Sequence, residues 1–145
     1  MELQFAFFCD EVRETKSGKL DALGIFHDLL APAFPAMQER MILALIIDWD
    51  RHDRGRYDLK AELVGPDGKV ALTVTGHSDV QAHPLEGPPA RTRLVMPLEK
   101  VVFPKPGKYS LRIMVKGKRL RGPSLYLLAM EEGETASSKE AGARP

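Results

Sequence analysis

The segment Tyr57-Asp58-Leu59-Lys60-Ala61-Glu62-Leu63 alternates apolar and charged residues without a break. Successive side chains of an extended strand point to opposite faces, so this period of two collects the apolar residues on one face and the charges on the other. A helix would scatter the same charges around its surface. Gly65-Pro66-Asp67-Gly68 follows, with proline presetting a negative φ and glycine accepting a positive one, and Val70, Leu72 and Val74 then alternate again. Residues 57–75 are therefore expected to form a β-hairpin. The pattern recurs near the end: after Pro104-Lys105-Pro106-Gly107, the stripe Tyr109, Leu111, Ile113 and Val115 opposes Ser110, Arg112 and Lys116. Lys116-Gly117-Lys118 then turns the chain into a last strand running to about Met130.

Earlier segments extend the list. Leu3, Phe5, Phe7 and Cys9 share one parity against Glu2, Gln4 and Asp10, which predicts a first strand with Cys9 facing the core. A second strand is expected around Leu20 to Phe26, after the Ser17-Gly18 turn. The unbroken apolar run Met41 to Ile47 suits a central strand covered on both faces, and Arg91 to Leu98 suits one whose Pro97 marks an edge or bulge. About eight strands spaced by Gly, Pro and Asp turns, with no long amphipathic helix, predict an all-β fold, an immunoglobulin-like antiparallel β-sandwich. Tyr109, just after Pro106-Gly107 at the head of the penultimate strand, stands where such a sandwich places its tyrosine corner. Asp28 to Gln38, interrupted by Pro32 and Pro35, reads as a loop, and Gly76 to Pro89 as a stretch of poor strand character. Residues 1–130 form the expected domain. Residues 131–145, without aromatic or branched aliphatic side chains, are the expected disordered tail.

Several of these residues also carry a resemblance. The opening Phe5-Ala6-Phe7-Phe8-Cys9-Asp10, then Gly18-Lys19, Leu23-Gly24-Ile25-Phe26, Phe34-Pro35, Pro66-Asp67-Gly68 and Phe103-Pro104-Lys105-Pro106-Gly107-Lys108-Tyr109 resemble a bacterial family of small single-domain proteins catalogued only as a domain of unknown function. The likeness spans residues 3 to 129. It implies an immunoglobulin-like sandwich, and its motifs are turns and core positions that bring no catalytic residue or cofactor with them.

Charge and cysteine content narrow the function classes. With 21 basic and 20 acidic residues the chain is not a simple polycation. One cysteine supplies neither an internal disulfide nor a Cys-rich zinc cage, which fits a reducing compartment. The first apolar run is too short for a membrane span and follows Glu2 rather than basic residues, so the chain is read as cytoplasmic, without integral membrane association. The near-neutral total hides an asymmetry. Residues 1 to 50 hold four basic and nine acidic residues, whereas 100 to 121 hold eight basic and none acidic.

Three sets of residues are candidate sites. Asp48, Asp50, His52 and Asp53 offer carboxylates and an imidazole to a cation, although Arg51 and Arg54 compete for the same oxygens and the spacing departs from a calcium loop. Arg112, Lys116, Lys118, Arg119 and Arg121 would meet an anionic partner, nucleic acid or lipid. Leu29, Leu30, Phe34 and Met37 load the 28–38 loop with apolar surface, which either caps the core or meets a protein partner or second copy. His77, Asp79 and His83 match no closed zinc spacing, and His27 beside Asp28 points to the opposite face. Cys9, if core-facing, is inert. No Gly-x-Ser-x-Gly elbow, phosphate loop or His-Glu-x-x-His sequence is present. The sequence thus predicts a non-enzymatic binding or scaffolding module without cofactor, acting through protein contacts. The alternatives are a small metal-dependent enzyme or metal-binding protein at Asp48–Asp53, and a weak binder of nucleic acid or anionic lipid at the closing hairpin.

Overall fold

Ten strands and no helix make up the described part of the computed structural model, residues 1–81 and 86–130. They are β1 (Glu2–Cys9), β2 (Glu11–Glu14), β3 (Leu20–Leu23), β4 (Asp28–Ala31), β5 (Ala36–Asp48), β6 (Gly55–Val64), β7 (Val70–Val80), β8 (Arg91–Phe103), β9 (Gly107–Val115) and β10 (Lys118–Ala129). His83 and the expected disordered tail lie outside the described residues. A three-stranded sheet runs β1-β5-β8, a five-stranded sheet β4-β10-β9-β6-β7, and β2 with β3 forms a separate hairpin.

The two larger sheets enclose one core. Phe8, Met41, Leu43, Leu45 and Ile47 come from the smaller sheet, and Leu59, Ala61, Leu63, Leu111, Ile113, Leu125 and Leu127 from the larger. The alternation predicted for β9 holds residue by residue, with Tyr109, Leu111, Ile113 and Val115 all buried. The apolar run on β5 also has the expected cause. β5 lies between β1 and β8, and Ile42 and Ala44, on its outer face, are as buried as Leu43 and Leu45 on its inner face. The cover comes from the β2–β3 hairpin: it leaves β1 after Cys9, and its turn reaches Arg93 on β8, whose guanidinium donates to the Gly18 carbonyl at 2.9 Å and to Glu14 at 3.0 Å. Gly24 closes this excursion at φ +68°, where any Cβ would lie 2.2 Å from the Asp10 carboxylate. Pro97 sits on β8, an edge strand, as its missing N–H requires.

The expectations fail in four places. Two strands exceed the eight expected: β2, and β4 within the segment read as a loop. β4 pairs in parallel with β10, Leu29 opposite Leu127 and Leu30 opposite Leu128, a partnership with no local sequence signal. The same segment also yields the start of β5, and it contains the cis peptide Phe34–Pro35. The poor strand character expected of Gly76 to Pro89 is overturned as far as Val80, where β7 continues in register with β6, while Gln81 and residues 86–89 are in no strand. Finally, the parity of β1 changes within the strand. Leu3 pairs with Ile47 and Phe5 with Ile46, so Gln4 is an extra residue, a β-bulge. Beyond it, Ala6 and Phe8 join the core with Leu3, while Phe5, Phe7 and Cys9 turn to the opposite face of the sheet. Cys9 is fully buried there, away from the main core, with its Sγ 3.7 Å from the Glu11 carbonyl. Burial, then the neighbouring Asp10 charge, raises its thiol pKa, which keeps it inert for a reason different from the one expected.

Candidate functional site

The polar turn between β5 and β6 is held together by opposite charges rather than left open to solvent. Asp48, at the end of β5, accepts two hydrogen bonds from Arg91 at the start of β8, at 2.5 and 3.0 Å. Asp53 accepts the Asp50 N–H at 2.9 Å and binds the Lys116 ammonium at 2.6 Å, and Lys116 also lies 3.7 Å from Asp50. The Met1 ammonium pairs with the remaining side of Asp50. Lys116 and Gly117 both have positive φ, 56° and 68°, the two-residue turn that joins β9 to β10 and aims Lys116 at this loop. Beneath the ions, Trp49 is buried, donates from Nε1 to Thr92 at 2.7 Å and stacks on Tyr57 at 4.8 Å. Thr92 in turn meets Ser78 at 2.6 Å, so a chain of contacts ties the loop to β8 and β7.

The electrostatics follow from this geometry. The Arg91 hydrogen bonds hold Asp48 below the ordinary carboxylate range, and the terminal ammonium does the same for Asp50. Burial alone would raise Asp53, but hydrogen bonds from Lys116 and the Asp50 amide together bring it below that range too. Lys116 is raised by the Asp53 bond. Carboxylates with folded pKa values below their unfolded ones add stability above the unfolded pKa and lose it as pH falls through the folded pKa. The urea midpoint is therefore expected to fall as pH drops below the ordinary carboxylate range. An Asp48→Asn, Asp53→Asn variant should show a shallower acid limb, and superimposable pH profiles for the two proteins would remove the ion pairs from the account.

Of the four metal candidates, the structure gathers Asp50 and Asp53 on one lysine, turns Asp48 to Arg91 and leaves His52 exposed. No group of three or more His, Cys, Asp or Glu side chains is placed to hold a cation among the described residues. His77 and Asp79 both face outward on β7.

The five basic candidates also divide. Lys116 is engaged with the carboxylates, and Arg112 lies 3.8 Å from Glu62 with its Nε buried and lacking an acceptor. Lys118, Arg119 and Arg121 are exposed, Arg121 directly opposite Arg112. Among the apolar candidates, Leu29 and Phe34 pack against the core. Leu30 lies on the outer face beside Leu128, and Met37, 55% exposed, opposes Val102 on β8.

The sequence reading missed a different apolar surface. Because of the bulge at Gln4, Phe5 and Phe7 stand on the outer face of the three-stranded sheet with rings stacked at 5.5 Å, Phe5 42% exposed. On the same face, Phe5 opposes Ile46 and Phe7 opposes the buried Ala44, beyond which Val95 on β8 is exposed. One signal was present. Phe5 to Cys9 is apolar on both parities, which a strand with one solvated face does not require.

Fold and site together define an all-β domain whose Asp48–Asp53 carboxylates are paired with cations and some of whose large apolar side chains, Phe5 and Val95 among them, lie exposed on the outer faces of its sheets. The chain belongs to a family of unknown function, DUF6941, whose model matches residues 4–127. No curated protein matches it. Among solved structures, the Pseudomonas fluorescens alkylpurine DNA glycosylase AlkC, bound to DNA containing an abasic site analog, is similar at 15% identity with a TM-score of 0.41. That match covers 86% of this chain and 30% of the glycosylase. No helix among the described residues is long and apolar enough to cross a membrane.

Proposed function

We propose that this chain is a non-enzymatic binding module of the bacterial cytoplasm, an immunoglobulin-like β-sandwich that acts through protein–protein contacts. The fold part of this reading is supported by the division into a three-stranded and a five-stranded sheet over one core, and by Tyr109. Its hydroxyl donates to the Lys105 carbonyl at 2.7 Å and accepts the Lys105 N–H at 3.2 Å, the arrangement of a tyrosine corner. The single unpaired cysteine supports a reducing compartment. The functional part is carried by one observation: Phe5, Phe7 and Val95 place aromatic and aliphatic surface on a sheet face already backed by a buried β5, where the core does not need them. Exposed aromatic surface on a rigid face is the composition of a protein interface.

The test is capture from the native host on the immobilised chain, followed by reconstitution with the purified protein so identified. A Phe5→Glu variant, with unchanged circular dichroism, is expected to bind that protein at least about tenfold more weakly. Equal binding by the variant would overturn the surface assignment. Recovery of nucleic acid instead, released by salt, would favour the second reading, in which Arg112, Arg119 and Arg121 meet phosphates on an outward face of β9 and β10 that carries no acidic residue. Stoichiometric metal lost with Asp50→Ala would favour the third.

A further inference from the structure

Each of the two larger sheets has two edges, and the chain treats them differently. Along β1 the row of main-chain groups is broken by the bulge at Gln4 and closed at Phe8, whose carbonyl accepts the Phe26 N–H at 3.0 Å. β8 carries Pro97, four charged residues at Arg91, Arg93, Glu99 and Lys100, and a left-handed kink at Lys100, φ +51°. β4 is only four residues long. These are the devices by which natural sheets keep edges from pairing with other chains. β7 has almost none of them. It is eleven residues long, pairs with β6 alone, and from Val70 to Gly76 holds no proline and no charge. One register irregularity lies at its hairpin end, near Val70; from Leu72 to Val80 the pairing with β6 is unbroken. Among the described residues it is the one long unprotected edge, and its Val, Leu and Thr side chains favour extended pairing.

We infer that β7 pairs antiparallel with β7 of a second copy of this chain, about a two-fold axis at Val74, joining two five-stranded sheets into one continuous sheet. The argument for a second copy is self-complementarity. Directly opposed residues in an antiparallel pair share a face, so the axis of an identical pair must lie midway between a residue and its own copy. With Val74 as that residue, Thr73 of each copy meets Thr75 of the other, and Leu72 meets Gly76. Gly76 has no heavy atom within 4 Å of where its Cβ would be, so the partner's leucine fills an open space. Between Leu72 and Gly76, where the strand is regular, no charged residues oppose one another. The edge lies in the other sheet from Phe5 and Phe7, so dimerisation and partner capture occupy different surfaces.

Sedimentation equilibrium on the full chain tests this. The wild-type protein is expected to dimerise reversibly, and Thr73→Lys, Thr75→Lys, which sets lysine against lysine twice across the axis, is expected to weaken the dimer at least about tenfold with unchanged circular dichroism. Phe5→Glu should leave the dimer intact. Register is read by mixing Thr73→Cys and Thr75→Cys chains under oxidising conditions. Because Cys9 is fully buried, the new thiols alone should cross-link, and the mixed disulfide should exceed either self-linked product. A wild-type chain that stays monomeric to millimolar concentration, or a dimer indifferent to the double lysine variant, would overturn the proposal; self-linked Thr75→Cys chains as the main product would overturn the Val74 axis.

Discussion

Replacing Trp49 with alanine is expected to lower the unfolding free energy by about 3–5 kcal/mol, the range for emptying a buried tryptophan site. Three consequences of the substitution act together. The indole is 3% exposed within the shared core, so its removal leaves a cavity under the β5–β6 turn. Its Nε1 donor disappears from Thr92, and Tyr57 loses the ring on which it stacks. Tyr57 is itself within reach of Asp53 and the Arg54 amide, so the ion-pair loop loses its floor as well as a neighbour. Trp49→Phe keeps most of the volume and gives up the hydrogen bond, and should cost about 1–2 kcal/mol. Trp49 is the only tryptophan, so unfolding is followed by far-ultraviolet circular dichroism in urea rather than by fluorescence. A shift in midpoint at constant slope is expected. A cost below about 1 kcal/mol for the alanine variant would mean that the loop is a detachable appendage, and the case for a free carboxylate cluster at Asp48 to Asp53 would reopen.

How much of this was legible in the sequence depended on the range of the interactions involved. The 57–75 hairpin and the inward stripe of β9 were readable because a two-period pattern and a turn are local features, and both appear in the structure, the hairpin with one register irregularity between Leu63 and Val64 that leaves Val70 exposed. The burial of β5 on both faces was readable for the same reason. β4 was not, because Asp28–Ala31 becomes a strand only by lying parallel to β10, almost one hundred positions away, and Pro32 follows it directly. The bulge at Gln4 was hidden by chance. Glu2, Gln4 and Asp10 alternate with apolar residues closely enough to imitate an unbroken strand, and a single extra residue reverses every assignment after it. The candidate sites depend on contacts of the same long range. Asp48, Asp50 and Asp53 are adjacent in sequence and look like a cluster, but what decides their chemistry is Arg91 and Lys116, 43 and 63 positions away from the residues they bind. Composition pointed to a basic closing segment; topology then distributed its cations between an acidic loop and an open sheet face. The apolar surface at Phe5 and Phe7, which carries the functional proposal, exists only because of the bulge.

The Tyr109 corner gives a second large effect, one that separates ring from hydroxyl. Tyr109 is 1% exposed, meets Phe103 edge-on at 5.2 Å, and lies so close under Gly65 that a Cβ there would be 3.0 Å from the ring. The ring therefore fixes the approach of the 65–68 turn to the 104–107 turn, while the hydroxyl satisfies both main-chain groups of Lys105. Tyr109→Ala removes all of this and is expected to cost about 3–5 kcal/mol. Tyr109→Phe keeps the packing but leaves the Lys105 carbonyl and amide without their partner, for about 1–2 kcal/mol. Because the corner joins two loops at one end of the fold, and the Asp48–Asp53 ion pairs close another loop, the two sites share no partners and their costs should add to within about 0.5 kcal/mol in a Tyr109→Phe, Trp49→Phe double variant. Additivity measured by urea denaturation would mean that the two loops are stabilised independently by a rigid pair of sheets, which is what a binding module needs if its working surface is a sheet face. A coupling well above about 1 kcal/mol would instead make the fold a single deformable unit, and the Phe5 face could not then be treated as a preformed surface.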